Sequence, residues 1–229
     1  MNPVVKTKST LFVAGFVLAL VLIFSCSSGD NDIDTIASSG KGNDISNYRT
    51  TVIGTQTWMA ENLDYAVEGS KCYDNAPANC VKYGRLYDWA TAMNLSPNCN
   101  SNSCADQIQS KHQGICPNGW HIPSDDDWDI LMNYLGNSSV AGAKLKATSG
   151  WNNNGNGNGT DEYEFSALPG GYGYLDGSFS NAGDIGNWWS ASEDYNGVAY
   201  YSLMYYDSEY VYLLSYDKSL MFSVRCLQD

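Results

Sequence analysis

The chain has 229 residues, with 12 Lys+Arg against 25 Asp+Glu and a formal net charge of −13 at pH 7. Such an acidic surface repels phosphate backbones, which argues against nucleic acid as a partner. The length suffices for one domain with a proper hydrophobic core.

The N-terminus predicts export. Lys6 and Lys8 precede the apolar run LFVAGFVLALVLIF (11–24), which is shorter than the roughly 20 residues that span a bilayer. A basic start, a short apolar segment and a small residue before a cysteine are typical of a bacterial secretory signal. Ile23-Phe24-Ser25-Cys26 resembles a lipobox, so we expect cleavage after residue 25 and acylation of Cys26. The alternative is an uncleaved N-terminal anchor helix.

Either outcome exports the rest of the chain and attaches it to a membrane. Residues 27–47 are small, polar and acidic, as in the tethers of lipoproteins that reach the cell surface. We therefore predict a signal peptide at 1–25, a lipidated Cys26 with a disordered tether at 26–47, and a single domain at 48–229. The predicted location is the outer membrane, with the domain exposed at the cell surface.

The cysteine count agrees with export. Apart from Cys26, the chain has an even number of cysteines, which are Cys72, Cys80, Cys99, Cys104, Cys116 and Cys226. In an oxidising compartment this number indicates three disulfides, for which many pairings are open. Proximity favours Cys72–Cys80 and Cys99–Cys104, which would leave Cys116–Cys226. Zinc is disfavoured, because no Cys-x2-Cys pair exists and His112 and His121 lack partners at zinc-finger spacing.

Three elements are predicted in the first part of the domain. TVIGTQTWM (51–59) indicates a hairpin of two short strands around Gly54-Thr55. GRLYDWATAMNL (84–95) places apolar residues at i, i+3, i+4 and i+7 from Leu86, which predicts one face of a helix. The same spacing from Trp128 to Leu135 predicts a second helix.

The segment CPNGWHIPSDDDWDIL (116–131) combines a histidine with three aspartates and raises the question of a metal or acid–base site. Ser124 followed by Asp127 is close to a capping box, and the aspartates at 125–127 fall in the first helical turn, where the helix dipole favours negative charge. We therefore interpret the segment as a structural corner with a packed, hydrogen-bonded His121 and three solvated aspartates. A ligand or catalytic base at His121 is the alternative.

The next segment, WNNNGNGNGTDEY (151–163), has the Asn and Gly content of a flexible surface loop with positive φ values. We predict no resident cofactor and no metal site. Calcium is the alternative, although the spacing of the oxygen ligands differs from an EF-hand loop. Those ligands would be Asn152, Asn154, Asn156, Asp161 and Glu162.

From residue 163 onward, short β-rich segments alternate with Gly, Asn and Asp turns. The predicted strands are YEFSAL, NWWSAS, VAYYSLMYY, EYVYLLSY and MFSVRC. Two helices followed by a set of antiparallel strands indicate an α+β domain.

Eight of the 17 tyrosines fall between residues 195 and 216. Because neighbours on a strand face opposite sides, these tyrosines cannot all lie in the core. Tyrosine mixed with Ser, Asn and Gly is typical of binding loops, which predicts a surface for a polysaccharide or a surface protein. The alternative is that tyrosines merely suit strands. The predicted ligand-binding residues are Trp188, Trp189, Tyr195, Tyr201, Tyr205, Tyr206, Asp207, Tyr210 and Tyr212.

Segments along nearly the whole domain, from about residue 50 to 227, resemble the Fibrobacter succinogenes major paralogous domain. They are GTQTWMAENLDY, YGRLYDWATAM, CPNGWHIPSDDDWDIL, SGWNNNGNGNGTDEYEFSALPGGY, NWWSASE and FSVRC. Members are exported, often lipid-anchored bacterial proteins. The resemblance implies a C-type-lectin-like fold, with two helices packed on a long-looped antiparallel sheet, disulfide staples and adjacent chain ends. It also implies the bridge from Cys116 to Cys226.

HIPSDDDW is similar to the Arg-Leu-Pro-Thr-Glu-x-Glu-Trp segment of formylglycine-generating enzymes, which share this general fold. Those enzymes bind copper through a close cysteine pair near the C-terminus, whereas the last hundred or so residues here contain Cys226 alone. The calcium and sugar triplets of calcium-dependent lectins are also missing. We therefore predict a non-catalytic binding and adhesion protein; a structural envelope lipoprotein and an oxidase of the formylglycine-generating type are the alternatives.

Overall fold

The structure, a computed structural model, describes residues 40–152 and 157–229. Within these residues the protein has four α-helices and three β-sheets, which confirms the predicted α+β class. The helices are α1 (Pro77–Tyr83), α2 (Trp89–Ala92), α3 (Asp125–Tyr134) and α4 (Ser138–Leu145).

The strands of the described residues form sheets of four, five and two strands, in the orders β1-β2-β11-β4, β3-β10-β7-β8-β9 and β5-β6. Most neighbours are antiparallel, and β10 pairs parallel with β7. The strands are β1 (Thr50–Ile53), β2 (Gln56–Met59), β3 (Leu86–Tyr87), β4 (Trp120–His121), β5 (Tyr172–Gly173), β6 (Phe179–Ser180), β7 (Ile185–Tyr195), β8 (Val198–Tyr205), β9 (Tyr212–Asp217), β10 (Phe222–Ser223) and β11 (Leu227–Gln228).

The four-stranded sheet joins the two ends of the domain. The predicted hairpin is confirmed, with β1 and β2 antiparallel around Gly54-Thr55. Gly54 has a φ of +62°, and a Cβ at this position would lie 2.7 Å from the Tyr134 ring, so the turn requires glycine. β11 pairs with β2 through Leu227 and Trp58, and with β4 through Leu227 and His121. The last strand therefore lies between the first hairpin and the segment that leads into α3.

The five-stranded sheet is buried on both faces at its centre. Trp189 on β7 packs in one hydrophobic cluster with Tyr201 and Phe222, and Trp188 packs in a second cluster with Trp58. Because adjacent residues of a strand point to opposite faces, these two tryptophans occupy the two halves of the core.

The helix predicted over residues 84–95 is wrong in its extent. Leu86 and Tyr87 form β3 and pair with β10, and only Trp89–Ala92 is helical. Asp88 is the N-cap, because its carboxylate accepts a hydrogen bond from the Thr91 backbone N–H at 2.9 Å. A strand buried on both sides followed by a buried helical turn has apolar residues at the same positions as one longer amphipathic helix. The second predicted helix is confirmed as α3.

Two helices, α1 and α4, were not predicted from the sequence. Pro77 is the first residue of α1, a position where its missing N–H is tolerated. α4 consists largely of small residues because it lies against the β8–β9 connection. A Cβ at Gly142 would lie 2.6 Å from the carbonyl oxygen of Glu209. Such a contact face has no stripe of large apolar side chains, so periodicity does not reveal it.

Among the late segments, NWWSAS and VAYYSLMYY are strands as predicted, in β7 and β8. β9 and β10 are shorter than EYVYLLSY and MFSVRC. The strand predicted for YEFSAL is wrong, since Glu164 and Ser166 have φ values of 56° and 52°. This left-handed backbone interrupts an extended chain. The Asp161 carboxylate stabilises it by accepting hydrogen bonds from the Ser166 N–H and hydroxyl, both at 2.7 Å.

Three disulfides are present, with the pairing that proximity favours: Cys72–Cys80, Cys99–Cys104 and Cys116–Cys226. The first two close short loops. The third spans 110 residues and links the segment before β4 to the residue before β11.

The part of the predicted tether that the structure describes, residues 40–47, contacts the domain. Gly40 forms a β-bridge with Tyr65, Lys41 forms an ion pair with Glu61, and Ile45–Asn47 make a single 3-10 turn. These residues therefore belong to the folded unit. The predicted signal peptide at 1–25 and Cys26 lie outside the described residues. Among residues 40–152 and 157–229, no helix is long and apolar enough to cross a membrane.

Candidate ligand-binding site

The corner around His121 is a closed hydrogen-bonded unit. Ser124 caps α3: its N–H donates to Asp127 Oδ2 at 2.9 Å, and the Asp127 N–H donates to Ser124 Oγ at 3.2 Å. His121 is buried, with Nδ1 2.8 Å from Asp229 Oδ1 and Nε2 3.5 Å from Asp127 Oδ2. Both ring nitrogens face carboxylates of the protein itself, which agrees with the interpretation as a structural corner.

The three aspartates of this turn differ in exposure. Asp126 is exposed, whereas Asp125 and Asp127 are half-buried. Burial alone would raise the pKa of Asp127, but hydrogen bonds from His121 and Ser124 lower it below the ordinary value. Burial, with repulsion from Asp129 and Asp126, raises the pKa of Asp125. Only Asp126 therefore fits the expectation of a solvated helix start.

The two tryptophans predicted to bind ligand lie in the core, which corrects that prediction. Trp188 and Trp189 are both 0% exposed. The Trp188 indole N–H donates to Asn62 Oδ1 and that of Trp189 donates to the Tyr87 carbonyl, each at 2.8 Å. The physical reason is that β7 is covered on both faces, so a pair of adjacent large residues serves packing on each side.

A cleft of about 290 Å³ opens on the Trp189 side of the five-stranded sheet. It brings together two of the predicted residues, Tyr201 and Tyr205 on β8. Tyr216 joins them from β9, where it pairs in register with Ala199 on the same face as Tyr201. We call this the tyrosine cleft; its lining includes Tyr172, Tyr174, Asn187, Tyr201, Tyr205 and Tyr216.

The opposite wall of the tyrosine cleft comes from the β5–β6 hairpin and was missed by sequence reasoning. Tyr172 and Tyr174 both line the cleft, with ring centroids 5.4 Å apart, and the Tyr174 hydroxyl donates to the Tyr172 hydroxyl at 3.2 Å. The available signal was the sequence YGYLDGSFS, in which alternating tyrosines precede an Asp-Gly turn. Asp-Gly between short β-prone runs is a strong hairpin signal.

The chemistry of the tyrosine cleft is neutral and amphipathic. Among the residues that the structure describes, its lining contains no charged side chain. Burial raises the pKa of Tyr201 to about 12, so its hydroxyl stays protonated at neutral pH. Within the part of the chain that the structure describes, the hydroxyls of Tyr201, Tyr205 and Tyr216 make no hydrogen bond. The cleft therefore offers flat aromatic faces together with hydroxyl groups that are free to donate and accept.

The other predicted binding residues lie elsewhere. Tyr195 is 63% exposed and lies at the turn end of the β7–β8 hairpin, opposite the Tyr205 end. Tyr206 packs against the core cluster that contains Trp188, and the neighbouring Asp207 is exposed. Tyr210 and Tyr212 stack with ring centroids 5.6 Å apart and line a separate groove of about 370 Å³ beside α3 and α4. The predicted set is thus distributed over three surfaces and the core.

The calcium alternative in the loop at 151–163 gains no support from the side chains that are described. Trp151 is buried, and Asn152 donates to Asp184 Oδ1 at 2.7 Å. Asp161 is engaged by Ser166, as noted above. Asn154 and Asn156 lie outside the described residues. Among the residues that the structure describes, no group of three or more His, Cys, Asp or Glu side chains is placed to hold a metal ion.

Comparison with known protein families identifies a match. The sequence profile of the Fibrobacter succinogenes major domain matches residues 52–228, most of the chain. No curated protein gives a significant match. No solved structure does so either.

Proposed function

We propose that this chain, which belongs to the Fibrobacter succinogenes major domain family, is a non-catalytic surface protein that binds a polysaccharide or another surface ligand. The name of the family specifies no activity. The observation that carries the proposal is the tyrosine cleft. It combines unoccupied phenol hydroxyls, flat ring faces and an uncharged lining in one concave site. Ligand sites are commonly concave and mostly apolar, with a few polar groups that fix orientation.

A neutral sugar suits this combination. The C–H faces of a pyranose ring are apolar and its hydroxyls lie at the ring edge, so it can stack on an aromatic face while it exchanges hydrogen bonds with phenols. Tyrosine loses little conformational entropy when it makes such contacts, since its side chain has only two torsions. Asn187, which also lines the cleft, holds its position by donating to the Gly171 carbonyl at 3.3 Å. A protein ligand is the competing partner and would use the same rings.

Removal of single cleft tyrosines should weaken binding to polysaccharide. We expect Tyr205→Ala and Tyr216→Ala each to raise the apparent Kd for a neutral polysaccharide about thirtyfold or more, since truncation of a central aromatic costs about 2 kcal/mol or more. A pull-down of the protein with microcrystalline cellulose and soluble β-glucans measures this. Tyr195→Ala is the matched control, because Tyr195 is as exposed as Tyr216, at 63% against 56%, but lies outside the cleft. A chelator should leave binding unchanged, because the cleft lining has no carboxylate.

The glycan assignment is wrong if Tyr195→Ala weakens polysaccharide binding as much as the cleft variants do. It is also wrong if the protein binds a surface protein and no polysaccharide. The absence of binding to any surface would favour a structural envelope lipoprotein. An oxidase of the formylglycine-generating type is disfavoured, since Cys226 and its five companions in the described residues are all in disulfides.

We also propose export and lipid anchoring through Cys26, with the domain at the outer surface of the outer membrane. Three disulfides support an oxidising compartment. Substitution of Cys26 by alanine should move the protein from the membrane fraction to the soluble fraction of expressing bacteria. Intact mass of the wild-type protein should give a chain that begins at an acylated Cys26. An unmodified Met1 in the membrane fraction would instead indicate an uncleaved anchor helix.

For the fold we propose a C-type-lectin-like architecture. The adjacent chain ends, the bridge from Cys116 to Cys226 and the long connections between short strands support it. An experimental structure that lacks this topology would remove the analogy without affecting the tyrosine cleft.

A further inference from the structure

A second cavity, of about 160 Å³, lies on a part of the domain not involved in the tyrosine cleft. Its charged lining, among the described residues, consists of four cations and two acids, Lys41, Arg49, Lys82, Arg225, Glu61 and Asp64. The whole chain has the opposite balance, with 12 Lys+Arg against 25 Asp+Glu. We call this site the Arg225 cavity.

Arg225 is buried, and no carboxylate of the described residues forms an ion pair with it. It is 1% exposed, and its guanidinium lies 4.2 Å from the centre of the Phe165 ring. Nε and Nη2 donate to Asn62 Oδ1 at 3.1 and 2.6 Å, and Nη1 donates to the Phe165 carbonyl. A guanidinium has five N–H donors, so one hydrogen on each terminal nitrogen remains without a partner among the described residues.

Among the described residues, the acids that favour the charge of Arg225 act on it without touching it. Burial lowers the pKa of Arg225 to about 9, and the negative charges of Glu61 and Asp161 act against this effect without forming an ion pair with it. At neutral pH the side chain therefore carries a full positive charge. A buried charge of this kind is costly unless an opposite charge contacts it.

The two acids of the Arg225 cavity already have cationic partners. Glu61 pairs with Lys41, and Asp64 lies 3.3 Å from Arg85 Nε. Neither Arg49 nor Lys82 forms an ion pair among the residues that the structure describes; both are exposed at the cavity. The charge of Arg225 thus has no acid in contact with it among the described residues, and two exposed cations, Arg49 and Lys82, lie in the same lining.

We propose that the Arg225 cavity binds a small ligand through one carboxylate group. The free N–H groups on the two terminal nitrogens match the two oxygens of a carboxylate, which guanidinium binds in a fork geometry. Arg49 and Lys82 attract the anion and donate to the remaining lone pairs of the same two oxygens. A single charge fits better than a phosphate dianion, because Glu61 and Asp64 lie in the same lining. Two sources have this chemistry: a uronic acid of a polysaccharide and the free C-terminus of a peptide.

The test is an NMR titration of the full-length protein that follows the Arg225 Nε–H resonance. This hydrogen is buried and bonded to Asn62, which protects it from exchange with water. We expect a saturable shift with sodium glucuronate or with acetyl-Ala-Ala, and none with glucose or acetyl-Ala-Ala amide. A response to glucuronate alone identifies a uronic acid as the source, and a response to the peptide alone identifies a C-terminus.

Variants at the entrance provide the second measurement and should leave the fold intact because both side chains are exposed. Arg49→Gln combined with Lys82→Gln should weaken the binding of the active carboxylate about tenfold, since two charge-assisted contacts are lost. Lys111→Gln, an exposed lysine outside the cavity, is the matched control, and Tyr216→Ala should also leave this binding unchanged. The proposal is overturned if no carboxylate shifts the Arg225 signal, if glucose shifts it equally, or if the double variant binds as well as the wild type. Tyr216→Ala tests the tyrosine cleft and the double variant tests the Arg225 cavity, so the failure of one proposal leaves the other standing.

Discussion

Replacing Cys116 and Cys226 by alanine should lower the free energy of unfolding by about 4–5 kcal/mol, the largest loss expected for any of the three disulfides. The bridge closes a loop of 110 residues, whereas the other two pairs are separated by 8 and 5 residues. In the chain-entropy account, a longer closed loop restricts the unfolded chain more, so that its removal frees more conformations. Cys226 also directly precedes β11, which joins the first hairpin to β4.

Urea unfolding of the Cys116→Ala/Cys226→Ala protein, followed by tryptophan fluorescence, measures this loss. The matched control is Cys72→Ala/Cys80→Ala, for which the same relation gives about 2–3 kcal/mol. An equal or smaller loss for the long-loop pair would contradict the prediction. It would indicate that the unfolded chain keeps residual pairing between β11 and the strands β2 and β4, so that the ends of the domain stay close without the disulfide.

Removal of one partner from the buried Lys218–Glu193 pair should cost about 3–5 kcal/mol, because the other charge stays buried without compensation. The Lys218 side chain is 0% exposed and that of Glu193 3%. The ammonium also donates to the Cys99 carbonyl at 3.1 Å and lies 4.1 Å from the centre of the Trp89 ring. The Glu193 carboxylate accepts from the Cys104 N–H at 3.1 Å. The pair thus fixes the Cys99–Cys104 loop to β7.

A double-mutant cycle tests this prediction. Glu193→Leu and Lys218→Met should each destabilise strongly, and the double variant should be more stable than either single variant, because no uncompensated charge remains. Thermal and urea unfolding of the four proteins give the coupling energy. Strictly additive single effects would mean that each charge interacts with the loop backbone alone. Lys111→Gln, which changes an exposed lysine, controls for the loss of one positive charge in Lys218→Met.

Much of the fold could be predicted from local sequence. The capping box at Ser124 and Asp127 and the apolar spacing of α3 depend on residues within about two turns of each other, so sequence suffices to predict them. The same holds for the hairpin around Gly54 and for the two short disulfide loops. The helix predicted over 84–95 failed for the converse reason. The partners of Leu86 and Tyr87 lie at the far end of the chain, in β10, and no local pattern reports that pairing.

The candidate sites depended on long-range contacts even more. The sequence predicted a tyrosine-rich surface, and Tyr201 and Tyr205 do line the tyrosine cleft. It could not exclude Trp188 and Trp189, because burial of both faces of β7 results from elements distant in sequence. It also missed Tyr172 and Tyr174, which belong to a different hairpin.

By itself, then, the sequence determined the α+β class, the family, the acidic balance and the short-range elements, because each depends on composition or on residues close together in the chain. Only the tertiary structure decided which tyrosines share a concave surface and that Arg225 is buried beside a cavity rich in cations. The physical reason is that a site is defined by which side chains meet and which remain open to solvent. Pairing of strands far apart in sequence, such as β10 with β3 and β7, sets both.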